Sequence, residues 1–422
     1  MKLLYIDHYA GGPAYGMEYR PFYLAREWVR CGHQVTIVAA TQAHVRSRQP
    51  VAHGAFTREV VDGVSHVWCR TPRYQGNGVG RVINIAAFLR RLRQWRRWLD
   101  FEPDVVIASS TYPADIGPAR VIARAHGAML VWEVHDLWPL SPIELGGMSR
   151  RHPFVMWMQR AENIACGHSD LVVSMLPLAE AHLREHGLPA GRFVYAPNGI
   201  DPQEWSAAPV ALPAAHAAAI GDARGRGDAL VAYAGSHGLA NDLGSLIDAA
   251  SRLKDEPVTW LLVGTGPEKA ALERKVAQQG LARVKLLDPV PKASIPELLR
   301  QMDLLYLGLL PHSLFRFGIS PNKLMDYMMA GRPVVCAIEA GNDPVGEAGC
   351  GVTVPPGNPQ AIADAVRRLA SMPGSERDAM GERGRAYVLA RHTYPVLAHR
   401  FIEAIQLHER ARPLRSAHAA AR

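Results

Sequence analysis

Cysteine is scarce and scattered in these 422 residues: Cys31, Cys69, Cys166, Cys336 and Cys350 are odd in number and form no close pair. That spacing argues against a disulfide or metal framework and suits buried thiols in a reducing cytoplasm. No stretch of about 18 uncharged apolar residues occurs, which excludes an ordinary membrane-spanning helix. The start, Met1-Lys-Leu-Leu-Tyr-Ile-Asp7, lacks the apolar core and small-residue cleavage site of a signal peptide and reads as a first strand. The glycine fingerprint of dinucleotide binders is missing from the first strand's loop. No recognised reader motif accompanies the basic charge either, so no nucleic-acid partner is expected.

What is present suffices for two cores. A chain of 422 residues suits two domains of about 200 each, and 48 % hydrophobic with 20 % charged residues is an ordinary globular composition. The 47 Lys and Arg exceed the 39 Asp and Glu, and a net charge of +8 calls for an anionic partner. Strand-like runs at 3–7, 34–39, 60–68, 105–108, 129–134 and 171–174 alternate with helical stretches such as 19–30 and 115–126. A second series at 230–234, 259–263, 284–287, 304–310, 334–338 and 351–354 alternates with helices at 243–253, 268–279, 295–301 and 360–369. Such alternation predicts an α/β fold with two doubly wound parallel sheets, whose ligands sit at the carboxyl ends of strands. The boundaries read as a domain over 1–198, a linker over 199–220 that includes an alanine-rich stretch, a domain over 221–393, a closing helix over 394–411 and a loose tail over 412–422.

The segment Gly318-Ile-Ser-Pro-Asn-Lys-Leu-Met-Asp-Tyr-Met-Met-Ala-Gly-Arg-Pro-Val-Val335 carries the clearest chemistry. An apolar strand precedes it, and Ser320 followed by Pro321 reads as a cap and a first helical position. A helix N-terminus binds phosphate through its unpaired amides and its dipole. Arg316 and Lys323 add positive charge on the same turn, and Asp326 stands three residues past Lys323 and four past Asn322. Gly331 suits the helix stop. The whole reads as a grip for a nucleotide diphosphate.

This segment resembles the donor-binding segment of family-4 retaining glycosyltransferases, and more narrowly a bacterial surface-polysaccharide branch that reads Ser-Pro-x-Lys-Leu-x-Asp-Tyr-Met-x-Ala-Gly-x-Pro. The family form has two glutamates separated by seven residues. Asp326 stands where the second, ribose-binding one would be, and Gly318 occupies the place of the first, so backbone amides or other groups would have to replace it; Ile319 is also expected at the donor. The resemblance implies the GT-B fold, two Rossmann-like domains facing across a cleft, with the last helix crossing back to the first domain. It also implies that Gly11 and Gly12 after the first strand lie near the donor. His135 of His135-Asp-Leu-Trp-Pro139 would contact the donor sugar, with Glu133 or Asp136 fixing its tautomer. Ser236 or His237, and then Asn241, take the place of the family's cationic diphosphate clamp, shifting load to Arg316 and Lys323. Gly264 and the run Val290, Pro291, Lys292 would wall the base pocket. Asn198-Gly-Ile-Asp201 reads as a hinge turn.

Residues 81–98 interleave Val82, Ile83, Ile85, Phe88, Leu89, Leu92, Trp95 and Trp98 with Arg90, Arg91, Arg93, Arg96 and Arg97. Such a helix can lie on an anionic membrane surface, the partner expected through 81–98, or bury its apolar face in the first domain, and both can hold at different residues. Together these readings imply a metal-independent, retaining transfer of a sugar from a nucleotide-sugar co-substrate, with no other cofactor, to a lipid-linked saccharide. The donor would be UDP-linked and the location the cytoplasmic face of the membrane. A UDP-sugar epimerase of the same architecture and a non-catalytic nucleotide-sugar-binding partner remain the alternatives.

Overall fold

The computed structural model describes residues 1–76 and 78–411. The tail expected over 412–422 lies outside the described residues. Contacts divide the chain into two units, Met1–Pro197 together with the segment from Tyr394, and Asn198–Thr393.

The first unit is built on eight strands: β1 (Lys2–Ile6), β2 (Gln34–Ala40), β3 (Phe56–Val61), β4 (Val64–Cys69), β5 (Val105–Ala108), β6 (Met129–Val134), β7 (Leu171–Ser174) and β8 (Phe193–Tyr195). Their order is β3-β4-β2-β1-β5-β6-β7-β8. Every neighbouring pair is parallel except β3 with β4. The apolar run 60–68 is therefore not one strand. Asp62 and Gly63 both take positive φ, 48° and 78°, and close a two-residue hairpin whose turn matches the strand twist. Central β1 is wholly buried from Leu3 to Ile6, as a strand covered on both faces requires.

Helix Arg20–Arg30 buries Phe22, Tyr23, Leu24 and Trp28 against this sheet. Helix Tyr394–Ala411 packs on its outer side, where the Trp28 indole N–H donates to the Ala398 carbonyl at 3.0 Å and the Tyr23 and Tyr394 rings stack at 4.8 Å. Helix Val79–Leu92 turns Ile85, Phe88, Leu89 and Leu92 inward. Trp98 is also buried, with its indole N–H on the Arg91 carbonyl. The buried apolar face of residues 81–98 thus covers its own domain. Arg90, Arg93, Arg96 and Arg97 remain outside.

The second unit has six parallel strands, β9 (Ala229–Ala234), β10 (Val258–Val263), β11 (Val284–Leu287), β12 (Leu304–Gly308), β13 (Val334–Ala337) and β14 (Gly351–Thr353), in the order β11-β10-β9-β12-β13-β14. That is the doubly wound order, with its switch point between β9 and β12. The alanine-rich stretch expected to be linker instead forms helix Ala214–Gly225, which buries His216, Ile220 and Ala223. Alanine has the highest helix propensity, and that outweighs the low information of the sequence there. No helix among the described residues is long and apolar enough to cross a membrane.

Candidate active site

In the first unit the register Ile6–Ala108–Trp132 runs across β1, β5 and β6, so the residues that follow end side by side at the carboxyl edge of the sheet. Asp7, Ser109, Glu133 and His135 gather there. The Glu133 carboxylate is fully buried. It accepts from the Tyr5 hydroxyl, from Ser109 Oγ at 2.6 Å and from Arg20 Nε at 2.9 Å. Arg20 also donates to the carbonyls of Ala196 and Pro197, tying this centre to the end of the unit's sheet. Burial alone would raise the Glu133 pKa, but Arg20, then His135 and Ser109, overcome it and hold the carboxyl well below its usual range.

His135 Nε2 lies 2.8 Å from Ser109 Oγ and 3.5 Å from Glu133 Oε2. Ser109 has one proton and gives it to Glu133, so toward His135 it can only accept. Nε2 therefore carries a proton, and Nδ1 is the nitrogen that titrates. Burial would lower the pKa of this imidazole, yet Glu133, then Asp7 and Glu18, raise it on balance. The sequence left either Glu133 or Asp136 to orient this ring, and the structure selects Glu133 acting with Ser109. Asp136 faces its own loop, accepting from the Leu137 amide, the Trp138 indole and the Ser141 hydroxyl.

Two further acids adjoin the histidine. Asp7 and Asp115 are each pushed up to about 7, chiefly by burial. One oxygen of Asp115 accepts from the Ser110 amide, and the other is buried with no hydrogen-bond partner. Neither was singled out from the sequence, because strand order rather than chain order brings them to His135. Gly11 and Gly12 do not offer their amides to a ligand. Those N–H groups go to the carbonyls of Glu18 and Gly16, folding the loop on itself.

In the second unit, helix Asn322–Met329 begins one turn past β12 and its connecting loop. Ser320 does not cap it. Pro321 stands at the cap position, while Ser320 Oγ accepts from the Asn198 amide and its carbonyl from the Asn198 side chain, both at 2.7 Å. Asn198, read as a hinge residue, thus anchors this turn, because its amide side chain supplies the partner that Ser320 needs. Gly318 has a φ of 95°, and the Ile319 amide that follows is held by Asn342 Oδ1 at 2.7 Å, so it is not presented to a ligand.

Lys323 lies over the loop after β9. Its Nζ is 3.4 Å from Asn241 Oδ1 and 5.7 Å from the Tyr233 ring centre. A Cβ on Gly235 would stand 2.1 Å from Lys323 Cε and displace that side chain, whereas one on Gly264 would stand 1.8 Å from the Gly235 carbonyl, a backbone approach that requires glycine. Burial lowers the Lys323 pKa, with Asp326 opposing. The Ser236 carbonyl accepts from the Tyr233 hydroxyl and from Asn241. His237 is fully buried beneath the loop, both ring nitrogens without partners, and burial lowers its pKa, so it is no cationic clamp. Asp326 is pushed up to about 7, first by burial, with Lys292 opposing, Glu204 reinforcing and a Trp205 hydrogen bond opposing. Lys292 Nζ pairs with Glu204 at 2.6 Å, and the charges of both act on Asp326; Val290 and Pro291 precede Lys292 in the chain. Arg316 does not join this group. It donates to the Ser313 carbonyl and lies 4.3 Å from the Phe317 ring centre, in a concavity formed with His312 and Glu339. Asn322 is exposed at the helix start.

Helix Asn322–Met329 offers a half-buried cation, Lys323, and an acid raised to about 7, Asp326; the first unit, taken by itself, offers a histidine whose Nδ1 can take or give a proton. Both units match families of known proteins. Residues 15–199 match the glycosyl transferase 4-like domain, and residues 229–372 match the glycosyl transferases group 1 domain. The chain is 25 % identical over 368 residues to the putative colanic acid biosynthesis glycosyl transferase WcaI of Escherichia coli K12, covering 82 % of this chain and 87 % of that one. Among solved structures it resembles sucrose-phosphate synthase from Thermosynechococcus elongatus, with a TM-score of 0.69 and 16 % identity over 97 % of this chain and 100 % of that one. It also resembles Anabaena HepE in complex with UDP and glucose, with a TM-score of 0.65 and 18 % identity over 96 % and 99 % of the two chains. At these identities the likeness to both structures is one of fold.

Proposed function

The chain belongs to the family-4 glycosyltransferases of GT-B fold, and from that premise we propose that it moves a sugar, with retention, from a UDP-linked donor to a lipid-linked saccharide in surface-polysaccharide assembly. The observation that carries the donor reading is Lys323 laid over Gly235 and directed by Asn241, with Asp326 three residues along the same helix. Charge builds on the leaving diphosphate as the glycosidic bond stretches, and a fixed cation with low solvent access stabilises it most when that charge is largest. Lys323 supplies this, so the reaction proceeds without a metal. Asp326 accepts from a ribose hydroxyl beside Lys292. The UDP in the HepE complex supports the choice of nucleotide, and the WcaI relative supports the polysaccharide setting.

His135, protonated at Nδ1, donates to a hydroxyl of the transferred sugar while Ser109 and Glu133 hold its other side. The acceptor oxygen bonds to the anomeric carbon on the face the diphosphate leaves, and its proton passes to a diphosphate oxygen. This route requires no enzymic nucleophile. Thermal denaturation with UDP, GDP, ADP and dTDP tests it first, since a ligand that binds only the native state raises its stability. A selective rise with UDP supports the reading. No rise with any nucleotide, or isomerisation of donor without acceptor, overturns it.

A further inference from the structure

The first unit holds a second cluster of titratable side chains, none of which belongs to the groups assigned to transfer. Helix Pro153–His168 leads into β7, and helix Glu180–Glu185 follows that strand. His182 lies on the second helix and His186 directly after it, four residues on, so the two rings share a face with their centroids 4.6 Å apart. Glu162, on the first helix and fully buried, meets both. Its Oε1 accepts from His182 Nε2 at 3.0 Å, and its Oε2 lies 3.9 Å from His186 Nε2. One ligand atom of each of the three residues lies within 4.8 Å of the other two.

Two features of this cluster point to a cation. Glu162 has no Lys or Arg partner among the described residues; besides the histidines it meets only Gln159, whose Nε2 donates at 2.7 Å. A buried carboxylate without a cation is costly. His186 Nε2, moreover, makes no hydrogen bond among the described residues, because the contacts of this ring to Gln159 and Asn163 are both through Nδ1, at 3.0 Å each. Asn163 Oδ1 can only accept, so Nδ1 carries the proton and Nε2 keeps a bare lone pair. A metal-bound histidine is held in this way, its second nitrogen donating to a neighbouring oxygen while the first faces the ion.

We propose that Glu162, His182 and His186 form a zinc site that fastens helix Glu180–Glu185 to helix Pro153–His168. Zinc holds nitrogen and oxygen ligands at about 2.0–2.2 Å, which sets tetrahedral ligand atoms roughly 3.3–3.6 Å apart. The observed 3.0 and 3.9 Å bracket that spacing. The ion takes the place of the His182 Nε2 proton, which moves to Nδ1 of the same ring. The His186 side chain is 26 % exposed, which leaves the fourth position open to water. Two imidazoles suit zinc and disfavour magnesium or calcium, which take oxygen ligands. A helix of six residues is marginal alone, so an ion that ties it down steadies the connection from β7 to β8. The site is structural and stands apart from the proposed transfer, which it neither requires nor alters.

The test is calorimetric titration of the full chain, stripped with EDTA and exchanged into chelator-free buffer, with zinc ion alone. One equivalent should bind saturably and raise the melting temperature. His182→Gln and His186→Gln should each weaken binding at least tenfold and abolish the zinc-induced rise, while their metal-free melts stay close to that of the parent. Cobalt ion bound to the parent should give the visible absorption of a four-coordinate nitrogen and oxygen site, without the thiolate band that a site on the exposed Cys31 would add. Equal zinc affinity in the parent and both variants overturns the proposal. A thiolate band, or no saturable binding of one equivalent by the parent, does so without recourse to any variant.

Discussion

The Lys323 side chain lies directly over the α-carbon of Gly235, leaving no space for even one methyl group between helix Asn322–Met329 and the loop after β9. Gly235→Ala therefore removes no charge but drives the ammonium away from its place. Transfer is expected to fall by about 10²–10³, the range for loss of one preorganised donor to developing negative charge, and Lys323→Met should match it. Turnover at the parental rate in either variant would remove Lys323 from the role assigned here.

Glu133 sets the protonation of His135. The imidazole pKa is raised on balance by Glu133, then Asp7 and Glu18, so the protonated form is present at low pH and lost as pH rises through the raised value. Glu133→Gln should move that loss to lower pH in the profile of kcat/KM. It also leaves the Arg20 guanidinium buried without its partner, a destabilisation of about 3–5 kcal/mol. Ser109→Ala, which keeps the ion pair, should shift the same limb with little change in melting temperature. A profile that stays in place in both variants would show that His135 does not titrate in the reaction.

Asp7 and Asp115 give the first unit a pH-dependent stability of unusual sign. Each carboxyl ionises near 3.8 when unfolded and near 7 when folded, so the native state binds more protons between those values. Stability accordingly falls as pH rises from about 4 to 7 and levels off above. Asp115→Asn removes one of the two groups. Relative to the parent, it should gain the equivalent of about 1–3 kcal/mol between pH 5 and pH 8, read from urea melts at each pH. A parallel pair of stability curves would contradict this.

Asp326 distinguishes a ribose from a deoxyribose if its carboxyl receives a sugar hydroxyl. The parent should bind UDP more tightly than 2′-deoxy-UDP, and Asp326→Asn should narrow the difference. Calorimetric titration of both nucleotides measures this directly. An unchanged ratio places the ribose elsewhere.

Most strands were legible because a parallel sheet covered on both faces demands continuous apolar runs, and those runs are visible in the sequence. Asp62-Gly63 was passed over because apolar residues flank it closely on both sides, although that dipeptide is the strongest short-range hairpin signal. Strand β8, three residues long, has too short a pattern to be seen. His135 was found because it directly follows a strand, and Lys323 because its motif is local. The acids around His135 depend on the adjacency of β1, β5 and β6, which the chain order does not reveal. A serine before a proline suits a cap, yet the Ser320 hydroxyl is engaged by Asn198, a partner 122 residues away that local sequence does not reveal.

Helix Tyr394–Ala411 completes the first unit's core after the chain has passed through all of Asn198–Thr393. During synthesis, then, Trp28 and its neighbours on helix Arg20–Arg30 have no covering until nearly two hundred further residues have emerged. At about 5–20 residues per second that wait is roughly 10–40 s. For that interval the ribosome carries a nearly finished sheet with one apolar side bare, a surface on which a holding chaperone would act.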